Sequence, residues 1–384
     1  MRKVLMLINY YGRTSETFIS DEIEYLMQQD DLELHILHYN ESIPESRVYG
    51  LYIPKSFFKR LLHNPSLFSF DFLRSLKYRN GQNATLGYLI HFFKHNEYDT
   101  IYCHFGTNGK LIAELKDLGI IPAKTKLVVR FHGLDMNLNK YPAKYYSVLK
   151  KYTDTFIVGS TYALSKLKQY QLPLSKIVLL PVGVKINPNK RDFTKKLENE
   201  KIRIISIGRL VSLKGYIEAV EIIAKLKNRD QIILEIIGTG PEEEEIRNKI
   251  KINNLEETVI LLNKQSHAKV LEKIRDSDIY IYSGKVDKEG RAESQGLANI
   301  EAMAAGCVIV AFNVGGLADY IIDEKTGFLI PPQKLDEFTS RLDWVIDNLN
   351  STQIEVIREN AFNYILANFD QDKLQPRLKD ILIE

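Results

Sequence analysis

The chain has 384 residues, 45% of them hydrophobic, 26% charged and 10% aromatic, which suits two domains and excludes disordered and fibrous classes. The net charge of +3 conceals an asymmetry: residues 1–185 carry 24 Lys+Arg against 16 Asp+Glu (+8), and residues 186–384 carry 28 against 33 (−5). The basic half suits an anionic partner, whether a phosphorylated ligand, an anionic membrane surface or nucleic acid.

In chain order, short runs rich in Val, Ile, Leu and Phe predict strands at 3–8, 32–38, 100–104, 126–131, 155–159 and 176–180. Stretches with helical apolar spacing alternate with them at 16–28, 84–95, 108–118, 143–151 and 160–170. The second half repeats the pattern, with strands at 202–207, 231–237, 258–262, 278–283, 307–312 and 327–330. Its helices are expected at 216–227, 241–252, 267–275, 297–305 and 335–348, followed by two more at 354–368 and 371–383. Repeated βα units imply an α/β fold with mostly parallel sheets. The expected organisation is an N-terminal domain over 1–186, a polar linker over 187–201, a C-terminal domain over 202–365, and a tail over 366–384 that packs back on the first domain.

The longest apolar runs, 4–8 and 307–312, fall far short of the roughly 20 residues of a membrane span. The first of them is also too short for a signal peptide. Cys103 and Cys307 lie in predicted buried segments, which excludes a disulfide framework and fits a reducing cytoplasm. No Cys/His spacing resembles a zinc site. Residues 55–79 carry six basic residues, one acid, five phenylalanines and one tyrosine. That pattern fits either a surface element lying on anionic lipid or a helix pair whose aromatics complete the core.

The chemistry concentrates in the second half. The predicted strand at 202–207 ends in Gly208-Arg209-Leu210, with Lys214-Gly215 close behind. A planar guanidinium and a compact ammonium leaving one strand end suit a diphosphate; taken alone they read better as two solvated cations. Further on stands Glu293-Ser294-Gln295-Gly296-Leu297-Ala298, with Glu301 inside the predicted helix. Free backbone N–H groups at that helix start favour an anion, and a carboxylate on each side of it suits sugar hydroxyls. Asp276-Ser277-Asp278 has the spacing of a metal-binding pair, but its place between helix and strand argues for a terminator and strand start. Gly238-Thr239-Gly240 lacks the third glycine of a dinucleotide fingerprint and fits a close backbone approach to a nucleotide. Lys285, Lys288 and Arg291 either grip a phosphorylated acceptor or are solvated. Gly315 and Gly316 fit turn positions.

With these motifs in order, the chain resembles glycosyltransferase family 4, retaining nucleotide-sugar enzymes of the GT-B fold, and within it the bacterial exopolysaccharide and capsule-type transferases. In the first half the resemblance includes Ser15-Glu16-Thr17-Phe18-Ile19, His104-Phe105-Gly106, Phe131-His132-Gly133-Leu134-Asp135 and Leu180-Pro181-Val182-Gly183-Val184. It implies two Rossmann-like α/β/α domains facing a central cleft, and a metal-independent hexosyltransferase with no cofactor beyond its nucleotide-diphosphate sugar donor. By the same resemblance Arg209 and Lys214 neutralise the diphosphate, Glu293 holds the donor sugar, and Glu301 binds the ribose. The amides of Leu297 and Ala298, beside Gly296, meet the phosphates. Gly12, Gly208, Gly238, Gly240 and Lys264 line the donor site, and His132 lies beside the sugar. His104 and Asp135 fall on the acceptor side, though a buried strand-end histidine reads equally well at 104. The family often has Gly directly after the first glutamate, where this chain has Ser294-Gln295; that departure leaves the donor sugar open.

The resemblance further implies a glycan or lipid-linked acceptor in surface polysaccharide synthesis; the basic first half and 55–79 add peripheral membrane contact to the cytoplasmic location the cysteines fit, and no recognised motif supports nucleic acid. The competing readings are a sugar-nucleotide epimerase of the same fold, which would need catalytic acids in the first domain, and a non-catalytic partner of another transferase.

Overall fold

Strand runs of three to seven residues flanked by helical crossovers cannot pair as hairpins; they assemble side by side and parallel. The computed structural model describes residues 1–11, 17–39, 47–51, 69–78, 83–186 and 201–384. The chain forms two units, Met1–Leu180 with Leu374–Glu384, and Pro181–Lys373.

The first unit holds a seven-stranded sheet. Its strands are β1 (Arg2–Leu7), β2 (Leu32–His38), β3 (Val48–Gly50), β4 (Thr100–His104), β5 (Lys126–Phe131), β6 (Thr155–Val158) and β7 (Ile177–Leu179). They run parallel in the order β3-β2-β1-β4-β5-β6-β7. Side chains alternate between the two faces of the sheet: Leu5 and Leu7 enter one core, Val4, Met6 and Ile8 the other. Both faces are therefore apolar, which is why β1 and β4 read as unbroken apolar runs. β3 was not foreseen; three residues beside a polar stretch carry no periodicity to read. The helix expected over 143–151 is instead a tight turn at Ala143–Tyr146 and a single turn at Leu149–Tyr152.

The second unit holds β8 (Ile202–Ile207), β9 (Ile232–Ile237), β10 (Val259–Leu262), β11 (Ile279–Tyr282), β12 (Val308–Phe312) and β13 (Phe328–Ile330). They are parallel in the order β10-β9-β8-β11-β12-β13. In each sheet the strand order doubles back beside the first strand, at β1/β4 and at β8/β11. Connections leave to opposite faces there, which opens a crevice at the carboxyl ends of the strands.

Residues 181–186 go with the second unit, where Val184 N–H donates to Phe369 O (2.9 Å) and Gln371 N–H to Val184 O (3.0 Å). The linker expected over 187–201 lies outside the described residues except for Lys201. The helix Gln371–Ile383 sends Leu374, Leu378 and Leu382, spaced four apart, into the core under β1 and β2. Its last carbonyls are met by Lys126 Nζ at Ile381 (2.7 Å), Thr100 Oγ1 at Leu382 (2.8 Å) and Arg2 Nε at Ile383 (3.0 Å). Three side chains thus satisfy acceptors that a helix end leaves open.

Candidate functional site

The doubling-back point of the second sheet carries the loop after β8. Gly208 has φ 152° and Gly215 φ 68°, both in the region that favours glycine. A Cβ on Gly215 would stand 2.0 Å from Ser283 O, and Ser283 Oγ donates to Gly215 O at 2.6 Å. The loop is thereby pressed onto the end of β11. The turn Ser212–Lys214 brings Lys214 back across Gly208, where a Cβ would stand 3.2 Å from Lys214 Cε and 2.9 Å from Tyr216 Oη. Lys214 forms an ion pair with Glu293, and its ammonium sits 5.5 Å from the centre of the Tyr282 ring. Arg209 is exposed and makes no ion pair among the described residues, yet its charge acts on Glu293.

Glu293 is placed by its own backbone. Gly316 N–H donates to Glu293 O at 3.0 Å, and Gly315 (φ 63°) lies so close that a Cβ would stand 1.9 Å from that oxygen. Gly315 and Gly316 are turn residues, and the turn they make holds the carbonyl of a site residue. Burial pushes the Glu293 carboxyl up, but the Lys214 ammonium, the Ser294 N–H and the Arg209 charge outweigh it and hold Glu293 below the usual carboxylate range. Gly296, left-handed at φ 74° and ψ 63°, precedes the helix Leu297–Ala304 and offers no side chain to cap it. The N–H groups of Leu297 and Ala298 are therefore left as donors at a positive helix end. Beneath the turn, Asn299 Nδ2 donates to Tyr320 Oη at 3.0 Å. Glu301 lies one turn along the face of Leu297, 2.7 Å from His267 Nε2. The structure thus unites Lys214, Glu293, Gly296, Leu297 and Ala298, with Arg209 at the rim.

His267 was missed by the sequence reading. It opens the helix His267–Arg275, whose first turn is capped by Ser266, and it is the one histidine of the second half. Gln295 was noticed only as a departure from pattern. Its amide accepts from Val182 N–H at 2.9 Å and donates to Val182 O at 2.7 Å, clamping the site turn to the 181–184 segment as a strand neighbour would. Gly238 and Gly240 serve loop packing: a Cβ would stand 1.9 Å from Gly208 O and 2.2 Å from Leu210 O respectively. Lys264 is exposed after β10, and Gly12 lies outside the described residues. Asp278 Oδ2 accepts from Arg203 N–H at 2.9 Å, and Asp276 ends the preceding helix through its own backbone N–H, so the pair serves as helix terminator and strand start. Lys285 pairs with Glu218, and Arg291 with Asp287 at 2.6 Å; Lys288 is exposed.

In the first unit His104 ends β4 and His132 follows β5. His104 is fully buried. Asp135, also buried, accepts from the N–H groups of Gly106 (2.7 Å), Gly133 (2.9 Å) and His132 (3.0 Å). It builds the turn that carries His132.

Residues 188–364 match the family model described as glycosyl transferases group 1. The chain is similar to WcaL of Escherichia coli (strain K12), named for a glycosyltransferase of colanic acid biosynthesis, with 26% identity over 295 residues that cover 74% of this chain and 70% of that protein. It is also similar to the amylovoran biosynthesis glycosyltransferase AmsK of Erwinia amylovora, with 28% identity over 243 residues that cover 61% and 58%. Among solved structures, Anabaena Alr3699/HepE in complex with UDP-glucose superposes with a TM-score of 0.76 at 15% identity, over 100% of this chain and 99% of that one. With the two parallel-sheet α/β units and the loop geometry above, the chain has the GT-B fold, and its residues 188–364 carry a match to the glycosyl transferases group 1 model.

Proposed function

We propose that the protein is a retaining, family 4 glycosyltransferase that moves a hexosyl group from a nucleotide-diphosphate sugar to a glycan or lipid-linked acceptor during surface polysaccharide synthesis. The observation that carries this reading is the cradle at the β8/β11 point: the Lys214–Glu293 pair, the exposed Arg209 and the start of the helix Leu297–Ala304, which no side chain caps. Breaking the anomeric C–O bond leaves charge on the diphosphate, and fixed cations with two aimed N–H groups stabilise that charge as it develops. In this reading they take the role a metal plays elsewhere. Glu293 orients sugar hydroxyls and Glu301 the ribose, with His267 holding the Glu301 carboxylate. No protein nucleophile is assigned, so the carboxylate-pair logic of glycosidases does not apply to Glu293 and Glu301.

The similarity to a UDP-glucose-bound structure favours a uridine nucleotide, and the relatives named for colanic acid and amylovoran synthesis favour an exopolysaccharide product. The test is a thermal-shift panel of nucleoside diphosphates and their sugars: a ligand at one hundred times its Kd stabilises the folded state by about 2.7 kcal/mol. A uridine nucleotide is expected to stand out, and a flat panel would remove the donor site.

Membrane contact is part of the proposal. Phe70, Leu73 and Leu76, three residues apart, are 75%, 57% and 37% exposed beside Arg74 and Lys77, a combination suited to an anionic interface. No described helix is long and apolar enough to cross a membrane. Within 55–79, residues 55–68 and 79 lie outside the described residues, and Phe72 is buried in the core. Flotation with anionic vesicles tests the contact; equal recovery with and without lipid would refute it.

A further inference from the structure

A buried chain of hydrogen-bonding groups runs behind His132. His104 Nδ1 lies 3.0 Å from His132 Nε2. The ring planes are 4° apart and the centroids 5.2 Å apart, the separation of two imidazoles joined edge to edge through an in-plane hydrogen bond rather than stacked face to face. On its far side His104 Nε2 faces Glu22 Oε2 across 3.3 Å, close enough to feel the carboxylate but not aligned as a hydrogen bond, and it has no hydrogen-bond partner among the described residues. Glu22 also accepts from Tyr102 Oη at 3.1 Å and pairs with Arg130 through Oε1. The second arm of Arg130 donates to Leu180 O at 2.8 Å.

The donors and acceptors in this chain have one consistent assignment. A guanidinium only donates, and a carboxylate beside it only accepts. Burial pushes Glu22 up, but the Arg130 charge, the nearby His104 ring and the hydrogen bond from Tyr102 hold it below the usual range, so it stays an acceptor. His104 must then carry its proton on Nε2. Among the described residues one carboxylate faces one guanidinium, and an imidazolium added beside Arg130 would bring a second cation to the same buried carboxylate, so both imidazoles are assigned as uncharged. The lone pair of His104 is therefore on Nδ1, and His132 must donate to it from Nε2. Burial, then the neighbouring His104 and Arg130, pushes His132 well down, which keeps it neutral. Phe18 and Phe105 wall the ring at 5.2 and 4.8 Å.

We propose that Glu22 and His104 are positioning residues that set the tautomer of His132, holding its proton on Nε2 and making Nδ1 a hydrogen-bond acceptor for a hydroxyl of the ligand. No described residue bonds Nδ1 of this partly buried ring. The ligand part rests on the proposed transferase reading; the tautomer does not.

The test uses the full chain labelled with 15N at the histidine rings. Long-range 1H–15N correlations distinguish the two neutral tautomers and the imidazolium. His104→Gln and His132→Gln assign the signals. The expected result at neutral pH is Nε2–H for both rings. In Glu22→Gln, Arg130 still claims the amide oxygen at the Oε1 position, so the amide N–H₂ faces His104 and both rings are expected to switch to Nδ1–H. UDP affinity should be unchanged in that variant, while kcat with UDP-glucose falls about tenfold or more.

An Nδ1–H or charged His132 in the wild type overturns the proposal, as do unchanged tautomers in a folded Glu22→Gln. Should that variant fail to fold, His104→Phe decides: His132 is expected to lose its single tautomer, and a retained pure Nε2–H form refutes the coupling. The spectra need no turnover. A chain that transfers sugar from no donor would therefore defeat the proposed function while the tautomers still judge this inference.

Discussion

Lys214 and Glu293 define the site because each sets the state of the other. Lys214→Ala is expected to lower donor turnover by two to three orders of magnitude, on the order of losing one preorganised donor to a developing anion, with the fold retained by circular dichroism. The same change removes the cation that offsets the burial of Glu293, so the Glu293 carboxyl should titrate upward. Lys214→Ala and Glu293→Gln should therefore be strongly non-additive in a double-mutant cycle, whereas independent effects would indicate separate sites. Both residues were legible in the sequence, because a cation after a strand-end glycine and a carboxylate before a helix-start glycine are local patterns. Their contact was not legible, since it joins positions 79 residues apart.

Among elements, the turns demand most of the sequence. Gly315 holds the Glu293 carbonyl from a left-handed conformation with no room for a methyl group. Gly315→Ala should lower stability by roughly 1–3 kcal/mol and weaken nucleotide binding with it. Gly119 is also left-handed, but nothing lies within 4 Å of a Cβ there. Gly119→Ala should then carry only the backbone strain and leave binding unchanged; titration of a uridine nucleotide compares the two. The helix Gln371–Ile383 makes an independent test. Removing residues 374–384 withdraws three buried leucines and the carbonyls that Arg2, Thr100 and Lys126 bind. At about 2–5 kcal/mol for each large core truncation, the first unit should no longer fold cooperatively, seen as loss of its urea transition. The helix itself was readable from its four-residue leucine spacing. Its packing back on the first domain was an expectation from the order of elements along the chain; the surface it covers was not readable, because the spacing states that a face is buried and not against what.

For the whole molecule, stability should fall with acid in two stages. His38 and His132 are held down by burial, so the unfolded chain takes up protons that the folded one does not, and stability drops as pH falls below about 6.5. Glu22 and Glu293 are also held low, and Asp117 more so, by Lys77, Tyr152 and Tyr78; their contribution is present above about 4.5 and is lost below it. Asp135 has the opposite sign. Burial raises it against the pull of three backbone N–H groups, and its contribution is lost as pH rises. Urea midpoints measured from pH 8 to pH 3.5 should therefore decrease in two steps, the first absent in His132→Gln apart from the His38 share.

Sequence alone determined the alternation of strands and helices, the parallel sheets it implies, and the local motifs from which the candidate site is built. Periodicity, glycine placement and charge spacing are properties of neighbouring positions, and neighbours are what a sequence displays. Tertiary structure decided which of those residues meet. It joined Lys214 to Glu293, bent Gln295 onto Val182, set His267 against Glu301, and turned the glycines at 238 and 240 toward a neighbouring loop. It also buried His104 between Glu22 and His132. Each of these contacts joins segments that are distant in the chain, and parallel order brings them side by side only after the crossover helices have packed.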